Sequence, residues 1–460
     1  MQRTVVSASI RRIVRHLALA LACACVLSLP IAPSPACAEV RTTDIVLGKT
    51  AEDRKIDTSE LPDIGAAHAI IVSKDGTTYF ERDADIPVKI ASITKVMTAI
   101  VALEHSQPTD TVTVSHAAAT VGESSACLKE GDALSMEQAL RGLLIPSGND
   151  AAIVIAEAVG KTLDPATTDP VATFVSAMNE KAKELGCKDT LFTNPHGLDF
   201  DAWASDMHST ARDVAIMYAN AMKNETFRKI VNSQATDLTV TSADGTQRQI
   251  PQQMHNKLLG VDGNIGGKTG TTEDAGYCFA CGYTQDTGGE VYIVVLGSDS
   301  NDQRFADTAA LSSWYYGHWA EVPLAHTSKK LGNEPIIARA SAADWSDRTV
   351  AVTLADPTQT AQVFSLAGTV KQNVGLDALS GEIEKDQEAG TLTYTQDGET
   401  IASAKLLTAE SQDAPNPLEW VMVQFDRLAR MVQGKPATAE AQVLNTAPDP
   451  LKYDGFEAAA

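Results

Sequence analysis

Three scarcities in the 460-residue sequence restrict what the protein can be. Cysteine occurs only seven times, which is too few in a chain of this size for a disulfide scaffold. Basic residues number 37 against 59 acidic ones, and the resulting net charge of −22 argues against nucleic-acid binding, because phosphates would be repelled. Long apolar runs are also missing: Leu17–Leu29 is too short to span a bilayer comfortably.

That short apolar run is typical of a signal peptide. It follows a basic stretch and precedes Ala36-Cys37-Ala38, a small-x-small cleavage site. We therefore expect residues 1–38 to be a signal peptide and the mature chain to begin at Glu39, outside the cytoplasmic membrane. The alternative is an uncleaved membrane anchor. The basic residues are Arg3, Arg11, Arg12 and Arg15.

Four cysteines remain after the predicted cleavage. Cys278 and Cys281 form a C-x-x-C pair, which could indicate a redox or zinc site. They lie in a predicted strand, where positions i and i+3 point to opposite faces, and no second cysteine or histidine pair accompanies them. We therefore expect buried, unpaired thiols, and neither a metal site nor a cofactor.

The stretch Ala91–Ala99, ASITKVMTA, places Ser92 and Lys95 three residues apart, on one face of a helix. A serine hydroxyl needs a neighbouring base to become a nucleophile. A lysine amine can be that base if burial or a nearby cation lowers its pKa. The alternative is an ordinary helix start with Ser92 as its N-cap.

Two later motifs favour the catalytic interpretation. Ser147-Gly148-Asn149 and Lys268-Thr269-Gly270 follow in that order. Ser-x-x-Lys, Ser-x-Asn and Lys-Thr-Gly together resemble the motif set of penicillin-binding proteins and class A β-lactamases. The chain looks most like the low-molecular-mass penicillin-binding proteins that are serine-type D-alanyl-D-alanine carboxypeptidases, a peptidase S11-like family. The resemblance covers about residues 60–320 well and the next hundred loosely.

The resemblance and the hydrophobic pattern predict an α+β chain: a β-lactamase/transpeptidase-like catalytic domain, with an antiparallel sheet plus a helical cluster, followed by a small all-β domain. In the resembled family that second domain holds the catalytic one away from the membrane. The predicted segments are a lead-in at 39–61, the catalytic domain at 62–322, the β-rich domain at 323–410, an amphipathic helix at 415–433 and a disordered tail at 434–460.

The resemblance also implies roles for individual residues. Ser92 would attack the penultimate D-alanine, Lys95 would take its proton, and Ser147 would relay a proton to the leaving group. Asn149 would hold the substrate's amide and Lys95, and Lys268 would supply positive charge. Substrate binding would involve Thr269 for the terminal carboxylate, Gly270 for close backbone approach, Thr271 N–H together with Ser92 N–H as the oxyanion hole, and Arg304.

The chain departs from the family pattern at two places. His255 stands where many relatives have arginine, and Thr271 where some have histidine. We expect these to change rate or side-chain preference rather than reaction type. His196 is expected to brace a loop rather than act as a base, and Arg304 could instead be a surface residue.

The expected function is removal of the terminal D-alanine from peptidoglycan stem peptides, inhibited by β-lactam antibiotics. A D,D-endopeptidase, a β-lactamase and a non-catalytic β-lactam sensor are the alternatives. The lack of a Glu-x-x-x-Asn stretch between Ser147 and Lys268 disfavours the β-lactamase, which needs a glutamate-held water.

The predicted C-terminal helix carries an apolar stripe for which no core remains once the β-rich domain is complete. The stripe predicts an interfacial helix on the outer face of the cytoplasmic membrane, and packing on the β-rich domain or on a second copy is the alternative. Its members are Leu418, Val421, Phe425, Leu428 and Val432.

Overall fold

The computed structural model describes residue 41 and residues 43–450. The predicted signal peptide lies outside the described residues, as does the end of the predicted tail. None of the helices within the described part combines the length and the apolar character needed to cross a membrane.

The N-terminal region, residues 43–317, contains helices and two antiparallel sheets. Its strands are β1 (Ile45–Val46), β2 (Lys49–Thr50), β3 (His68–Ser73), β4 (Thr78–Arg82), β5 (Thr111–Thr113), β6 (Ala133–Ser135), β7 (Ala235–Thr241), β8 (Gln247–Gln253), β9 (Asn264–Thr272), β10 (Gly276–Gln285) and β11 (Gly289–Ser298). Its helices are α1 (Ala51–Arg54), α2 (Lys95–His105), α3 (His116–Ala119), α4 (Met136–Leu144), α5 (Asn149–Leu163), α6 (Pro170–Leu185), α7 (Ala211–Ala221), α8 (Glu225–Val231) and α9 (Asn301–Gly317).

The main sheet has seven strands in the order β2-β1-β4-β3-β11-β10-β9. Strands from both ends of the region therefore meet in one sheet, with the helical cluster between them in sequence, as predicted. Strand β9 lies at the edge, so one side of its backbone is open for pairing. The remaining four strands form a smaller sheet, β5-β6-β7-β8.

Successive side chains of the central strands point to opposite faces of the main sheet, and both faces are buried. Ile70 packs in the core on the side of helices α2 and α5, whereas its neighbour Ile71 packs in the core beneath α9. Cys278 and Cys281 divide in the same way between these two cores, and both thiols are buried and unpaired. The prediction of opposite-facing core thiols is confirmed.

Helix starts follow local capping chemistry. Thr210 caps α7 by accepting a hydrogen bond from Asp213 N. Helix α2 continues from a 3-10 helix at Ala91–Thr94, and residues 95–102 are all buried. Burial on every side explains why its sequence is apolar all round rather than amphipathic.

The lead-in predicted at residues 39–61 is not loose. Strand β1 pairs with β4 through Ile45 and Glu81, and β2 folds back onto β1. The buried Asp44–Arg82 ion pair ties the segment to the sheet, with Arg82 Nε 2.9 Å from Asp44 Oδ1. Two-residue strands have no periodicity of their own, because they form only by pairing with an existing edge.

The C-terminal region, residues 319–450, is rich in β-structure around a core of its own. Its main sheet has the order β18-β19-β20-β16-β15-β21. Its elements are β12 (Trp319–Pro323), β13 (Lys330–Leu331), β14 (Glu334–Pro335), β15 (Ala338–Ser341), β16 (Thr349–Leu354), β17 (Thr360–Phe364), β18 (Lys371–Leu376), β19 (Glu388–Gln396), β20 (Glu399–Thr408), helix α10 (Pro417–Val432) and β21 (Gln442–Val443).

The tail predicted to be disordered from residue 434 is ordered in the part that the structure describes, up to residue 450. Strand β21 pairs antiparallel with β15 and forms the edge of the sheet. Asn445, only 3% exposed, donates from its amide to Leu324 O at 3.0 Å. The acidic, alanine-rich composition gave no indication of this order, because the segment is ordered by pairing with an open sheet edge rather than by its own hydrophobicity.

Candidate active site

The first motif lies on the 3-10 helix Ala91–Thr94 and the first turn of α2. Ser92 is half-buried, and Lys95 Nζ lies 2.7 Å from its Oγ. Lys95 is completely buried, and its Nζ is also 2.7 Å from Asn149 Oδ1 and 2.7 Å from the carbonyl oxygen of His196. The spacing of three residues therefore brings hydroxyl and amine together, as predicted.

Lys95 has an environment that favours its neutral amine. Burial lowers its pKa well below the ordinary value, and the nearby positive charge of Lys268 lowers it further. A neutral amine has two N–H groups and one lone pair. The two N–H groups can serve Asn149 and His196, which leaves the lone pair facing the Ser92 hydroxyl.

The second motif lies in the turn between α4 and α5. Ser147 has a left-handed backbone, φ 64, and is 4% exposed. Its Oγ accepts a hydrogen bond from Lys268 Nζ at 2.8 Å. Asn149 is the first residue of α5, and its Nδ2 donates to Gly122 O at 3.0 Å. The turn requires Gly148, because a Cβ there would lie 2.8 Å from the carbonyl oxygen of Gly142.

The third motif lies on the edge strand β9, against the 3-10 helix that carries Ser92. A Cβ added to Gly270 would come within 2.7 Å of Ile90 O and 3.1 Å of Ser92 N. Lys268 is completely enclosed, and burial followed by the charge of Arg304 lowers its pKa to about 7.

Arg304, in the first turn of α9, is 5% exposed and is not a surface residue. One terminal nitrogen, Nη1, lies 2.9 Å from Gly270 O and 2.9 Å from Thr271 Oγ1. The other, Nη2, donates to Asn301. Arg304 thus binds strand β9 at Gly270 and Thr271, and its positive charge lies next to the Lys-Thr-Gly motif.

The structure brings together all nine residues predicted for the site. The five catalytic candidates form two hydrogen-bonded groups, Ser92–Lys95–Asn149 and Ser147–Lys268, and Ser147 and Asn149 are two residues apart in the same turn. Thr269 lies beside Lys268, whose Nζ donates to the Thr269 carbonyl oxygen at 2.6 Å. Gly270, Thr271 and Arg304 continue from there.

Two histidines border the site. The His196 ring is fully buried, accepts a hydrogen bond at Nδ1 from Leu198 N, and has a pKa lowered to about 3 by burial and by Lys95. It braces its loop, and only its carbonyl oxygen reaches Lys95. His255 is exposed, and partial desolvation and then the charges of Lys268 and Arg304 lower its pKa, which places it at the edge of this cationic cluster.

Sequence reasoning missed Asp150, which supports the second motif from behind. Its carboxylate is 2% exposed and accepts hydrogen bonds from Ala126 N at 2.9 Å, Leu128 N at 3.1 Å and Ser125 Oγ at 2.6 Å. These bonds hold the 122–128 loop against Asn149. An aspartate directly after Ser-x-Asn, at a helix N-terminus, was the available signal.

In the described residues, no group of three or more histidine, cysteine, aspartate or glutamate side chains is placed to hold a metal ion. The arrangement present is a serine next to a buried lysine with a lowered pKa, with a second serine next to another buried lysine. It can carry out nucleophilic acyl transfer by general base catalysis.

Comparison with known proteins agrees with this chemistry. The family model for D-alanyl-D-alanine carboxypeptidase, peptidase family S11, matches residues 55–300. The chain is 28% identical over 360 residues to the D-alanyl-D-alanine carboxypeptidase DacF of Bacillus subtilis, covering 75% of this chain and 85% of the relative. It is 34% identical over 248 residues to the D-alanyl-D-alanine carboxypeptidase of Streptomyces sp. strain K15, covering 52% of this chain and 82% of the relative.

A solved structure supports the same grouping. The crystal structure of the Streptomyces K15 DD-transpeptidase superposes with a TM-score of 0.52 at 31% identity, covering 55% of this chain and 98% of that one. The fold and site thus define a serine acyl-transfer enzyme of the β-lactamase/transpeptidase fold. The chain belongs to the D-alanyl-D-alanine carboxypeptidase family, peptidase family S11, and is a serine hydrolase of that family.

Proposed function

We propose that Ser92 is the nucleophile of a D-alanyl-D-alanine carboxypeptidase that removes the terminal D-alanine from peptidoglycan stem peptides through an acyl-enzyme. The observation that carries this proposal is the fully buried Lys95, whose amine lies 2.7 Å from Ser92 Oγ and whose pKa is lowered by burial and by the charge of Lys268. A buried lysine with a lowered pKa is costly to stability and is typical of a catalytic base.

In the first half of the reaction Lys95 accepts the Ser92 proton while Oγ attacks the carbonyl carbon of the penultimate D-alanine. The negative charge that develops on the carbonyl oxygen is stabilised by the backbone N–H groups of Ser92 and Thr271. The close approach of Gly270 to Ser92 N supports this pairing, because it brings strand β9 beside the nucleophile.

The C–N bond then breaks, and the leaving D-alanine needs a proton on its nitrogen. Ser147 relays that proton to the leaving nitrogen. Lys268 lies 2.8 Å from Ser147 Oγ, where its positive charge favours the proton transfer. Thr269 binds the terminal carboxylate, and Arg304 of helix α9 contacts the next residue of the strand, Gly270, at its carbonyl oxygen. Water then hydrolyses the acyl-enzyme, with Lys95 again taking a proton.

The alternatives differ in what happens after acylation. A β-lactamase needs a glutamate-held water for fast deacylation, whereas the Lys95 amine contacts Ser92, Asn149 and the carbonyl oxygen of His196. A non-catalytic sensor has no need for the Ser147–Lys268 proton path. An endopeptidase shares every residue of the site, so it differs only in the peptides it accepts.

The test is the mass of the full-length protein after exposure to penicillin, together with D-alanine release from a peptide ending in D-Ala-D-Ala. We expect penicillin to add its whole mass, because the opened lactam stays attached, and we expect D-alanine to be released. Ser92→Ala should show neither. An adduct that persists in Ser92→Ala would refute the assignment of the nucleophile.

We further propose that the enzyme acts outside the cytoplasmic membrane, exported by residues 1–38, and that helix α10 rests on the membrane surface. The exposed fractions of Leu418, Phe425 and Val432, 74%, 67% and 82%, support the second part, because they leave the apolar stripe uncovered. Helix α10 contacts the β-rich region instead through the buried Val423.

A further inference from the structure

Trp203 is joined to the proposed catalytic base through a single residue, and the reaction steps above do not use it. It belongs to the 3-10 helix Asp201–Trp203. Its ring meets the His196 ring edge to face, with 4.4 Å between the ring centres and an angle of 84° between the ring planes. The carbonyl oxygen of the same His196 is 2.7 Å from Lys95 Nζ. A change at the indole can therefore reach Lys95 through His196.

One ring nitrogen of His196 has no polar partner. The ring is neutral, because burial and then the charge of Lys95 lower its pKa to about 3. Its Nδ1 accepts a hydrogen bond from Leu198 N at 3.2 Å, so the ring proton is on Nε2. Nε2 is buried, and no nitrogen or oxygen among the described residues accepts from it. A buried donor without an acceptor is costly, and the face of an aromatic ring such as the adjoining indole reduces that cost.

The main chain after His196 packs tightly against the first motif. A Cβ added to Gly197 would lie only 2.0 Å from the carbonyl oxygen of Ala91. The chain there has no room to adjust, so the His196 side chain is held by the ring contacts described above. Because the ring and the carbonyl group share one Cα atom, displacing the ring would turn the carbonyl oxygen away from Lys95.

Trp203 also separates His196 from a cavity. The cavity has a volume of about 430 Å³, and the indole lines it together with side chains of α5 and α6 that include Ile153 and Val175. His196 is fully buried and does not line it. Removing the indole would therefore open the His196 ring to the cavity, where water could accept from Nε2 and release the ring from its present position.

We propose that Trp203 is a positioning residue for acylation: its indole holds the His196 ring and thereby keeps the His196 carbonyl oxygen on Lys95. That carbonyl oxygen and Asn149 Oδ1 take the two N–H groups of the neutral amine, which leaves the lone pair facing the Ser92 hydroxyl. When the carbonyl group turns away, the amine can rotate, and proton transfer from the hydroxyl becomes slower. The inference rests on the proposed function, because it takes Lys95 as the base.

The experiment measures penicillin acylation of the full-length protein and separates the acylation rate constant from the dissociation constant of the initial complex. Trp203→Leu keeps an apolar side chain and removes the aromatic face. Its acylation rate constant should fall by roughly tenfold or more, since small displacements of a catalytic group have effects of at least this size. Its dissociation constant should stay unchanged, because the binding residues of β9 remain in place. Trp203→Phe, which restores an aromatic face, should acylate at close to the parent rate.

Trp345→Leu is the matched control. Trp345 is 6% exposed and lies in the core of the β-rich region, so its replacement should lower the melting temperature without slowing acylation. The melting temperature of each variant shows whether it is folded. If Trp203→Leu does not fold, Trp203→Met takes its place, because the flexible methionine side chain fills irregular space without providing an aromatic face.

An acylation rate constant in Trp203→Leu that matches the parent, a loss that Trp203→Phe fails to restore, or an effect confined to the dissociation constant would overturn the role of Trp203. The proposed function would stand in each case, provided that Lys95→Arg acylates slowly, by roughly 10² or more, as expected of a base replaced by a group that cannot lose its proton. If Lys95→Arg acylates at the parent rate, Lys95 is not the base, and the proposed function and the role of Trp203 fail together.

Discussion

Burial and a second lysine act on Lys95 in the same direction. Both lower its pKa, so its neutral form is populated at a pH where an exposed lysine would be protonated. Lys268 in turn is affected by burial and by Arg304, which lower its pKa to about 7. The site therefore places three basic side chains in a row. The charge of Arg304 disfavours protonation of Lys268, and the charge of Lys268 disfavours protonation of Lys95.

This arrangement predicts a pH dependence. Acylation should rise with pH as Lys95 loses its proton, and fall above about pH 7 as Lys268 loses its charge. Lys268→Met removes the positive charge that lowers the pKa of Lys95, so that pKa rises and the rising limb should move to higher pH. The measurement is the rate of penicillin acylation across the pH range.

Lys257→Gln is the control for this prediction, because Lys257 is an exposed lysine paired with Asp302. Its pH profile should match that of the parent enzyme. A rising limb that stays in place in Lys268→Met, whatever the absolute rate, would show that the charge of Lys268 does not control the pKa of Lys95.

At the scale of elements, the site depends on how closely β9 approaches the 3-10 helix Ala91–Thr94. Gly270 makes this approach possible, because a side chain there would collide with Ile90 O and Ser92 N, both of them backbone atoms. Backbone atoms cannot move aside as a flexible side chain can, so the strand itself would have to shift.

Gly270→Ala should therefore separate β9 from the nucleophile. Overpacking of this kind costs about 1–3 kcal/mol of stability, and the displaced Thr271 N–H should slow acylation by roughly tenfold or more. The measurements are the melting temperature and the penicillin acylation rate. Gly65→Ala is the control, because its added Cβ would meet only the Gln303 side chain at 3.5 Å. An unchanged acylation rate in Gly270→Ala would contradict this explanation.

The elements that can be predicted from sequence are those whose signal is local. The β3–β4 and β10–β11 hairpins, helices α4 to α7 and helix α10 all have caps, turns or hydrophobic periodicity. Strands β1, β2 and β21 cannot be predicted in this way, because each is two residues long and exists only where a sheet edge is already present.

The same distinction holds for the site. The motif residues could be grouped from sequence because their chemistry and order are distinctive, although Lys95 and His196 are 101 residues apart. The contributions of the His196 and Gly122 carbonyl oxygens could not be predicted from sequence, because every residue has a carbonyl group. The role of Asp150 also depends on a loop whose position is set only by the tertiary fold.

At the scale of the whole molecule, the two regions are joined by more than the chain connection. Strand β12 leaves α9 and pairs with β17, which places Phe364 in the core beneath the main sheet. There its ring is 5.0 Å from Tyr79 and 5.4 Å from Trp319. Arg54 also donates to the carbonyl oxygen of Leu366 at 3.3 Å. The β-rich region thus holds a fixed position relative to the active site.

Helix α10 contacts the β-rich region through Val423 and through Arg427, which donates to the carbonyl oxygen of Ala343. Residues 423 and 427 share one face, so the apolar stripe points away from the protein. Removing residues 416–460 would test the role of the stripe poorly, because it would also remove β21 and the buried Asn445.

The triple variant Leu418→Glu/Phe425→Glu/Leu428→Glu leaves Val423, β21 and Asn445 intact. Burying each of these apolar side chains contributes about 1.5–3 kcal/mol, so losing three should weaken membrane binding by more than roughly hundredfold. The measurement is the fraction that sediments with zwitterionic lipid vesicles, since the negative net charge of the protein disfavours anionic ones.

Leu331→Glu, a change at an exposed leucine on β13, should bind as the parent does. If the triple variant binds vesicles as fully as the parent enzyme, the helix is not a membrane contact. D-alanine release in solution should be the same in both, because the active site lies entirely in the N-terminal region.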